Sequence, residues 1–167
     1  LIDGIGINTH GGSLRLVFSK TKRPMSEKIL KMIKKENSLD LTAGTISLSV
    51  VAFMDELNKL KEFLSTASEE NQLCVGVGAS GRANMLLNYL LPEAKGITAV
   101  YDESPERIGR EMAFTGIPVR DFRELNEFEY DACLILAWNH AEEIIKKWPH
   151  QGKLLIVPFP QMFEKMT

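Results

Sequence analysis

Apolar residues between positions 73 and 157 fall into short continuous runs, and the stretches between some runs have apolar positions at helical spacing. Five runs predict buried strands, bounded by glycine, proline or polar residues. They cover residues 73–78, 97–101, 116–119, 132–137 and 154–157. Helices are predicted at 82–91 and 141–148, and Ser104-Pro105 has the sequence of a helix start. Such alternation is typical of an α/β fold: a parallel sheet of about five strands with helices on both faces.

A long amphipathic helix is predicted before the first of these strands. Between residues 45 and 68, apolar side chains recur at spacings of three and four. They are Ile46, Val50, Phe53, Leu57, Leu60 and Leu64. Nearer the start, residues 14–18 alternate as in a short strand, which must join a sheet to be stable. We therefore predict an α/β domain over 41–167, preceded by residues 1–40.

The composition excludes several classes of protein. At 167 residues, the chain has the length of one domain with a full core. A formal net charge of −2 gives no global attraction to nucleic acid or to an acidic membrane surface. Two cysteines, Cys74 and Cys133, are too few for a disulfide framework or a cysteine-rich zinc site. With no secretory signal and no membrane-spanning apolar run, we expect a cytoplasmic protein.

Residues 20–36 are strongly basic and permit two interpretations. Seven lysine and arginine residues face only Glu27 and Glu36 in this stretch. They form either an anion-binding patch or the solvated face of a helix. Because no aromatic residues for base stacking lie among them, we favour the solvated helix.

One glycine-rich turn carries the clearest signal for ligand binding. Residues 76–81 fit the pattern G-x-G-x-x-G, and they follow a predicted strand and open a predicted helix. Glycines permit close approach of the backbone, and a helix N-terminus offers free N–H groups and partial positive charge to a phosphate. Gly76, Gly78, Ala79, Ser80, Gly81 and Arg82 are therefore candidate phosphate- or nucleotide-binding residues. The alternative is a tight turn that binds nothing.

Two further candidates follow other predicted strands at the same sheet edge. Asp102 ends the second strand, 21 residues after Gly81, where an acid can accept hydrogen bonds from ribose hydroxyls or can simply cap the next turn. Asn139 follows the fourth strand and can read a base or cap a helix. Its neighbour Trp138 can stack on a base or pack in the core, and His140 is expected at the surface.

Several chemistries find no support in the sequence. No cluster of His, Cys, Asp or Glu has metal-ligand spacing, and neither a G-x-S-x-G elbow nor a G-x-x-x-x-G-K-[ST] loop occurs. Cys74 and Cys133 lie inside predicted strands and are interpreted as small core residues. His10 lies in a glycine-rich loop without an interpretable partner. We predict no catalytic residue and no metal site.

Five short motifs in one order resemble the carboxyl-terminal domain of SAM-dependent sugar C-methyltransferases. The motifs are His10-Gly11-Gly12-Ser13-Leu14-Arg15; Gly76-x-Gly78-Ala79 with Leu86-Leu87-Asn88-Tyr89; Asp102-x-Ser104-Pro105-x-Arg107-x-Gly109; Gly116-Ile117-Pro118-Val119; and Leu136-Ala137-Trp138-Asn139. The resemblance covers nearly the whole chain. It implies a Rossmann-like domain that helps to hold a keto-sugar attached to a nucleoside diphosphate, typically dTDP, for methylation at carbon.

The resemblance also implies how this chain relates to the rest of such an enzyme. Family members have an amino-terminal zinc-binding domain and a middle domain that binds SAM, and the Glu-His catalytic segment lies upstream of the part resembled here. Residues 1–40 are then a junction with the middle domain. We expect the partners to be the nucleotide-sugar and those upstream domains, with no nucleic acid or membrane involved. The 167 residues alone should not transfer a methyl group.

One departure keeps other functions open. Where the family commonly has Ala-Pro-Ala-Lys, this chain has Ala79-Ser80-Gly81-Arg82, so the third glycine gives the loop the look of a dinucleotide fingerprint. The alternative function is therefore an NAD(P)-type dinucleotide-binding module. A third possibility is a docking domain that binds no small molecule and uses residues 1–20 and the 45–68 helix for contact.

Overall fold

The computed structural model describes residues 1–9, 12–39, 41–159 and 162–166. His10, a residue of the first family motif, lies outside the described residues. The chain divides into two compact units, Leu1–Val51 and Ala52–Thr167. The proposed junction at 1–40 stays a prediction.

The first unit contains a two-stranded antiparallel sheet and a helix. Strands β1 (Asp3–Ile7) and β2 (Ser13–Val17) pair, so the alternating segment finds its partner within this unit. Helix α1 (Glu27–Asn37) buries Ile29, and a Cβ on Gly4 would lie 2.6 Å from Ile29 Cδ1. The Ser26 hydroxyl caps α1 by accepting from the Ile29 amide. The basic segment is therefore helical from Glu27 onward, with one apolar side chain buried.

Helix α2 (Ala43–Glu69) is the longest element. From Leu57 onward its apolar side chains are buried in the core of the second unit. Nearer the start, Ile46, Val50 and Phe53 remain about half exposed. The apolar stripe is thus buried only along the second half of the helix.

The second unit is built on a six-stranded, mostly parallel sheet. Its strands are β3 (Cys74–Val77), β4 (Ile97–Asp102), β5 (Val119–Asp121), β6 (Ala132–Ile135), β7 (Leu154–Val157) and β8 (Phe163–Met166). The order across the sheet is β5-β4-β3-β6-β7-β8. The first five are parallel and β8 runs antiparallel to β7, so the sheet has one strand more than the five predicted.

Helices α3 (Gly81–Tyr89) and α4 (Ala141–Lys146) follow β3 and β6. Apolar side chains pack on both faces of the sheet. Leu60, Leu87 and Val100 belong to the cluster that includes α2 and α3. Short 3-10 helices cover 93–96, 122–127 and 138–140. The structure is therefore a mixed α/β fold, as the apolar runs predicted.

Two local predictions were wrong in detail. The third strand begins at Val119 because Gly116 has a φ of +71° and closes a turn, its amide donating to the Met112 carbonyl oxygen. Ser104 starts a single turn and not a regular helix. That turn ends at Gly109, which has a φ of +79° and donates to the Val119 carbonyl oxygen.

Candidate functional site

The strand order brings three loops together at the carboxyl edge of the sheet. β3 lies between β4 and β6, so the chain leaves it toward one side and returns on the other. Ligands of open α/β sheets bind in the crevice at such a switch point. Gly78, Asp102 and Ala137 follow or end the three strands there. The edge predicted from the sequence therefore exists.

The first half of the glycine loop is tightly packed. Gly78 has a φ of +98°, and a Cβ on it would lie 2.5 Å from Ala137 Cβ. A Cβ on Gly76 would lie 2.8 Å from Leu136 Cδ1 and 3.3 Å from Val100 Cγ2. These two glycines allow β3 to pass close to its neighbours, so their presence is explained by packing.

Asp102 links this half of the loop to the end of β4 through hydrogen bonds. The residue is buried, with 7% of its surface exposed. Oδ2 accepts hydrogen bonds from the Ala79 amide at 2.6 Å and from Arg107 at 3.1 Å, while Oδ1 accepts from the Ser104 amide at 2.8 Å. Of the two roles considered for Asp102, these contacts favour the capping role, because both oxygens already have donors within the chain.

The second half of the loop is open. The Ser80 hydroxyl caps α3 by accepting from the Ala83 amide at 3.2 Å. Apart from its two chain neighbours and the backbone of its own helix, no described atom lies within 4 Å of the Cβ position of Gly81. Within the described chain, the amides of Gly81 and Arg82 have no hydrogen-bond acceptor. Two donors at the start of α3 are thus free to receive an anion.

Arg82 and Trp138 form a pair beside the loop. The Arg82 guanidinium lies over the Trp138 ring, 5.6 Å from its centroid. Trp138 meets Phe159 edge-on at 5.0 Å, and Phe159 stacks on Phe53 at 4.9 Å. Trp138 therefore packs against aromatic neighbours, and the Arg82 charge lies over its face.

Asn139 lies in the short 3-10 helix that follows β6. The N-cap residue of α4 is His140, so Asn139 does not cap that helix as one interpretation expected. Its side-chain nitrogen Nδ2 is buried, and no acceptor among the described residues pairs with it.

Two hollows flank the glycine loop. The strand-end pocket, of about 290 Å³, lies at the ends of β3, β4 and β6. It is lined by Val77, Gly78, Tyr101, Asp102, Glu103, Phe122, Ala137, His140, Glu143, Ile144 and Lys147. The loop pocket, of about 320 Å³, lies between the second half of the turn and the chain that follows β4. It is lined by Ala79, Ser80, Gly81, Asn84, Glu106, Arg107, Arg110, Glu111, Met112, Ala113 and Val119.

The predicted site residues divide between these hollows. Gly78 and Asp102 line the strand-end pocket, and residues 79–81 line the loop pocket. Gly76, Arg82 and Asn139 line neither. Sequence reasoning missed Phe122, Ile144 and Arg110. For Ile144 a signal existed, because the predicted helix at 141–148 follows a strand that ends at this edge.

Burial makes the two cysteines unreactive as nucleophiles. Cys74 and Cys133 are free thiols in the core. Burial raises the pKa of Cys74 to about 11 and also raises that of Cys133. Both thiols therefore stay protonated at neutral pH and are poor nucleophiles.

Metal-binding clusters and membrane-spanning helices are both absent from the described residues. No group of three or more His, Cys, Asp or Glu residues there is placed to hold a metal ion. Among the described helices, none is both long enough and apolar enough to cross a membrane.

Fold and site together define the class: an α/β domain whose sheet edge presents an open helix N-terminus beside a packed glycine turn. The sequence matches the family model for the C-methyltransferase C-terminal domain over residues 8–160, and the chain belongs to that family. It is thus a methyltransferase-associated domain. The family in general implies the use of SAM.

A second similarity covers a shorter stretch. The chain is 34% identical over 71 residues to the redox-sensing transcriptional repressor Rex of Brevibacillus brevis (strain 47 / JCM 6285 / NBRC 100599). The match covers 42% of this chain and 33% of that repressor. The chain therefore spans about a third of the length of that curated relative.

Proposed function

We propose that the chain is the substrate-side domain of a SAM-dependent C-methyltransferase acting on a keto-sugar linked to a nucleoside diphosphate such as dTDP. In this proposal the loop pocket receives the phosphates. The observation that carries it is the pair of free amides, Gly81 and Arg82, at the open start of α3. The support from family membership is separate, and it concerns the methyltransferase alone.

The electrostatics of the loop pocket favour an anion through the backbone. Arg107 and Arg110 line it, but so do Glu106 and Glu111, so the side-chain charges balance. The helix N-terminus adds roughly half a positive charge, and the free amides add direction. A phosphate oxygen can accept from those amides, while a neutral ligand gains less from them.

The same edge favours a nucleoside diphosphate over SAM. SAM has one carboxylate beside a cationic sulfonium and an ammonium group and no phosphate, so it gains less than a diphosphate from the Gly81 and Arg82 amides and from the positive end of α3. We assign SAM to residues outside this chain. The contribution of this domain to methyl transfer is positional: it holds the nucleotide-sugar so that its reacting carbon stays close to the methyl donor.

Calorimetric titration of the 167-residue chain with dTDP tests the proposal. Arg110→Gln should weaken binding about tenfold, since a hydrogen bond to a charged group contributes about 1.5–3 kcal/mol. Lys95→Gln is the matched control, because Lys95 precedes β4 and thus lies at the opposite edge of the sheet. Equal affinities for wild type and R110Q, or no binding of dTDP by wild type, would contradict the assignment.

A dinucleotide-binding module remains the second candidate. The three-glycine spacing and the strand order favour it. A thermal-shift comparison of NAD⁺, NADP⁺, SAM and dTDP separates the two, because a ligand at 100 times its Kd adds about 2.7 kcal/mol of stability. Stabilisation by NAD⁺ alone would favour the dinucleotide function.

A docking domain without a ligand is the third candidate. The exposed apolar side chains on the first half of α2, among them Ile46 and Leu48, favour it. The free amides at Gly81 and Arg82 are compatible with it, because the first amides of any α-helix have no acceptor within the helix. Failure of every nucleotide in the thermal-shift series would favour this function.

A further inference from the structure

The strand-end pocket has walls suited to a planar ring. Phe122 supplies aromatic surface from the β5 side and Ile144 supplies aliphatic surface from α4, while Tyr101, which also lines the pocket, is itself fully buried. Burial raises the pKa of the Tyr101 hydroxyl, so this wall stays uncharged at neutral pH. Ligand pockets typically measure about 300–1,000 Å³. At about 290 Å³, this one holds part of a nucleotide-sugar and not the whole.

The polar groups of this pocket select against phosphate. Glu103 and Glu143 line it together with Asp102, while Lys147 is the one lysine or arginine among the lining residues. A phosphate placed here would meet an excess of carboxylates and would be repelled. Hydroxyl groups and ring N–H groups are donors, and carboxylate oxygens accept from them. The chemistry therefore suits a neutral, hydroxylated ring system.

The glycine turn joins the two hollows in the order that such a ligand requires. Gly78 lines the strand-end pocket, and the next three residues line the loop pocket. A molecule with a neutral half and an anionic half can lie across the turn, with its anionic half at the Gly81 and Arg82 amides. A nucleoside diphosphate has that composition.

We infer that the strand-end pocket binds the nucleoside half of the nucleoside diphosphate, with Phe122 and Ile144 against the base and Glu103 and Glu143 accepting from its hydroxyl and N–H groups. This inference rests on the proposed function and makes it more specific. It also moves the role of hydroxyl acceptor from Asp102, whose oxygens are already engaged, to the two neighbouring glutamates.

Filling the pocket provides a test by substitution. In Ile144→Trp the indole occupies the strand-end pocket, so dTDP binding should weaken tenfold or more while inorganic pyrophosphate binding stays unchanged. Lys146→Trp is the matched control, because it adds the same ring on the same helix at a residue that does not line the pocket. Calorimetry measures both ligands, and circular dichroism checks that both variants fold.

A wild-type measurement covers the case in which I144W fails to fold. In amide NMR spectra, thymidine should shift the resonances of Glu103 and Ile144, and pyrophosphate those of Gly81 and Arg82. The inference would be overturned if thymidine shifted the resonances of other residues, or if I144W and K146W bound dTDP with equal affinity. In either case the proposed function would stand. If neither dTDP nor pyrophosphate binds wild type, the proposed function fails and the inference fails with it.

Discussion

Gly78 and Gly81 lie three residues apart in one turn, and their surroundings differ at every point. Gly78 has a left-handed backbone and touches Ala137, whereas Gly81 has ordinary φ and open space beyond its Cβ position. The Ala79 amide beside Gly78 is held by Asp102, whereas the amides at Gly81 and Arg82 are free. One motif thus contains glycines needed for packing and a glycine that leaves room. The pattern alone does not distinguish them.

Adding a methyl group at each glycine tests this difference and should give the largest effect. Gly78→Ala should lower the free energy of unfolding by about 2–5 kcal/mol, because it combines backbone strain with overlap against Ala137. Urea denaturation measures the change. Gly81→Ala is the control and should stay within about 1 kcal/mol of wild type, since alanine is acceptable in the first turn of a helix. Similar losses in both variants would show that the two halves of the loop are equivalent.

Asp102 offers the next largest effect. Asp102→Asn removes the charge and one of the two acceptor oxygens, so a donor among Ala79, Ser104 and Arg107 loses its partner. We expect a loss of about 2–3 kcal/mol in the free energy of unfolding, because the group is buried and hydrogen bonds to charged groups are the strong ones.

Stability of D102N also separates the two roles of the carboxylate. If the carboxylate stabilises the loop, D102N should be less stable than wild type in the absence of any ligand, as measured by urea denaturation. Unchanged stability with weakened nucleotide binding would instead return Asp102 to the role of a ribose acceptor.

The smallest effect is expected at Asp121, a second carboxylate at the end of a strand. It lies at the end of β5 and pairs with an exposed arginine, Arg123. The Arg123 side chain lowers the pKa of Asp121 to about 2 from its ordinary 3.8. A lowered pKa in the folded state gives stability that is present above pH 4 and lost as the pH falls through about 2. The thermal midpoints of wild type and Asp121→Asn should therefore differ slightly at pH 5 and converge near pH 2. A constant difference across that range would exclude the ion pair as the cause.

Much of the sheet could be predicted because buried parallel strands are apolar throughout. Residues 132–135 and 154–157 have no polar position, so their identity does not depend on distant partners. β8 was missed because Phe163–Met166 is short, contains Glu164 and Lys165, and pairs only through the antiparallel return of the chain. The start of β5 was misplaced because the left-handed backbone of Gly116 ends a turn there.

The location of the candidate site could be predicted from the sequence, but the contacts between its residues could not. A glycine turn between a strand and a helix identifies the edge, and Asp102 identifies the neighbouring strand end. The Asp102 carboxylate accepts a hydrogen bond from the Ala79 amide. This contact depends on side-chain geometry, which the spacing of residues in the sequence does not determine. Phe122 and Ile144 reach the strand-end pocket only through packing of elements far apart in sequence.

The two borders of the sheet in the second unit also bear on self-association. β5 has three residues and carries Arg120 and Asp121, while β8 has four and carries Glu164 and Lys165. Short borders with ionic side chains are poor templates for a neighbouring chain to extend by backbone pairing, and they protect against fibre formation. We therefore expect contacts with other subunits to use helix faces or loops and not the two borders of this sheet.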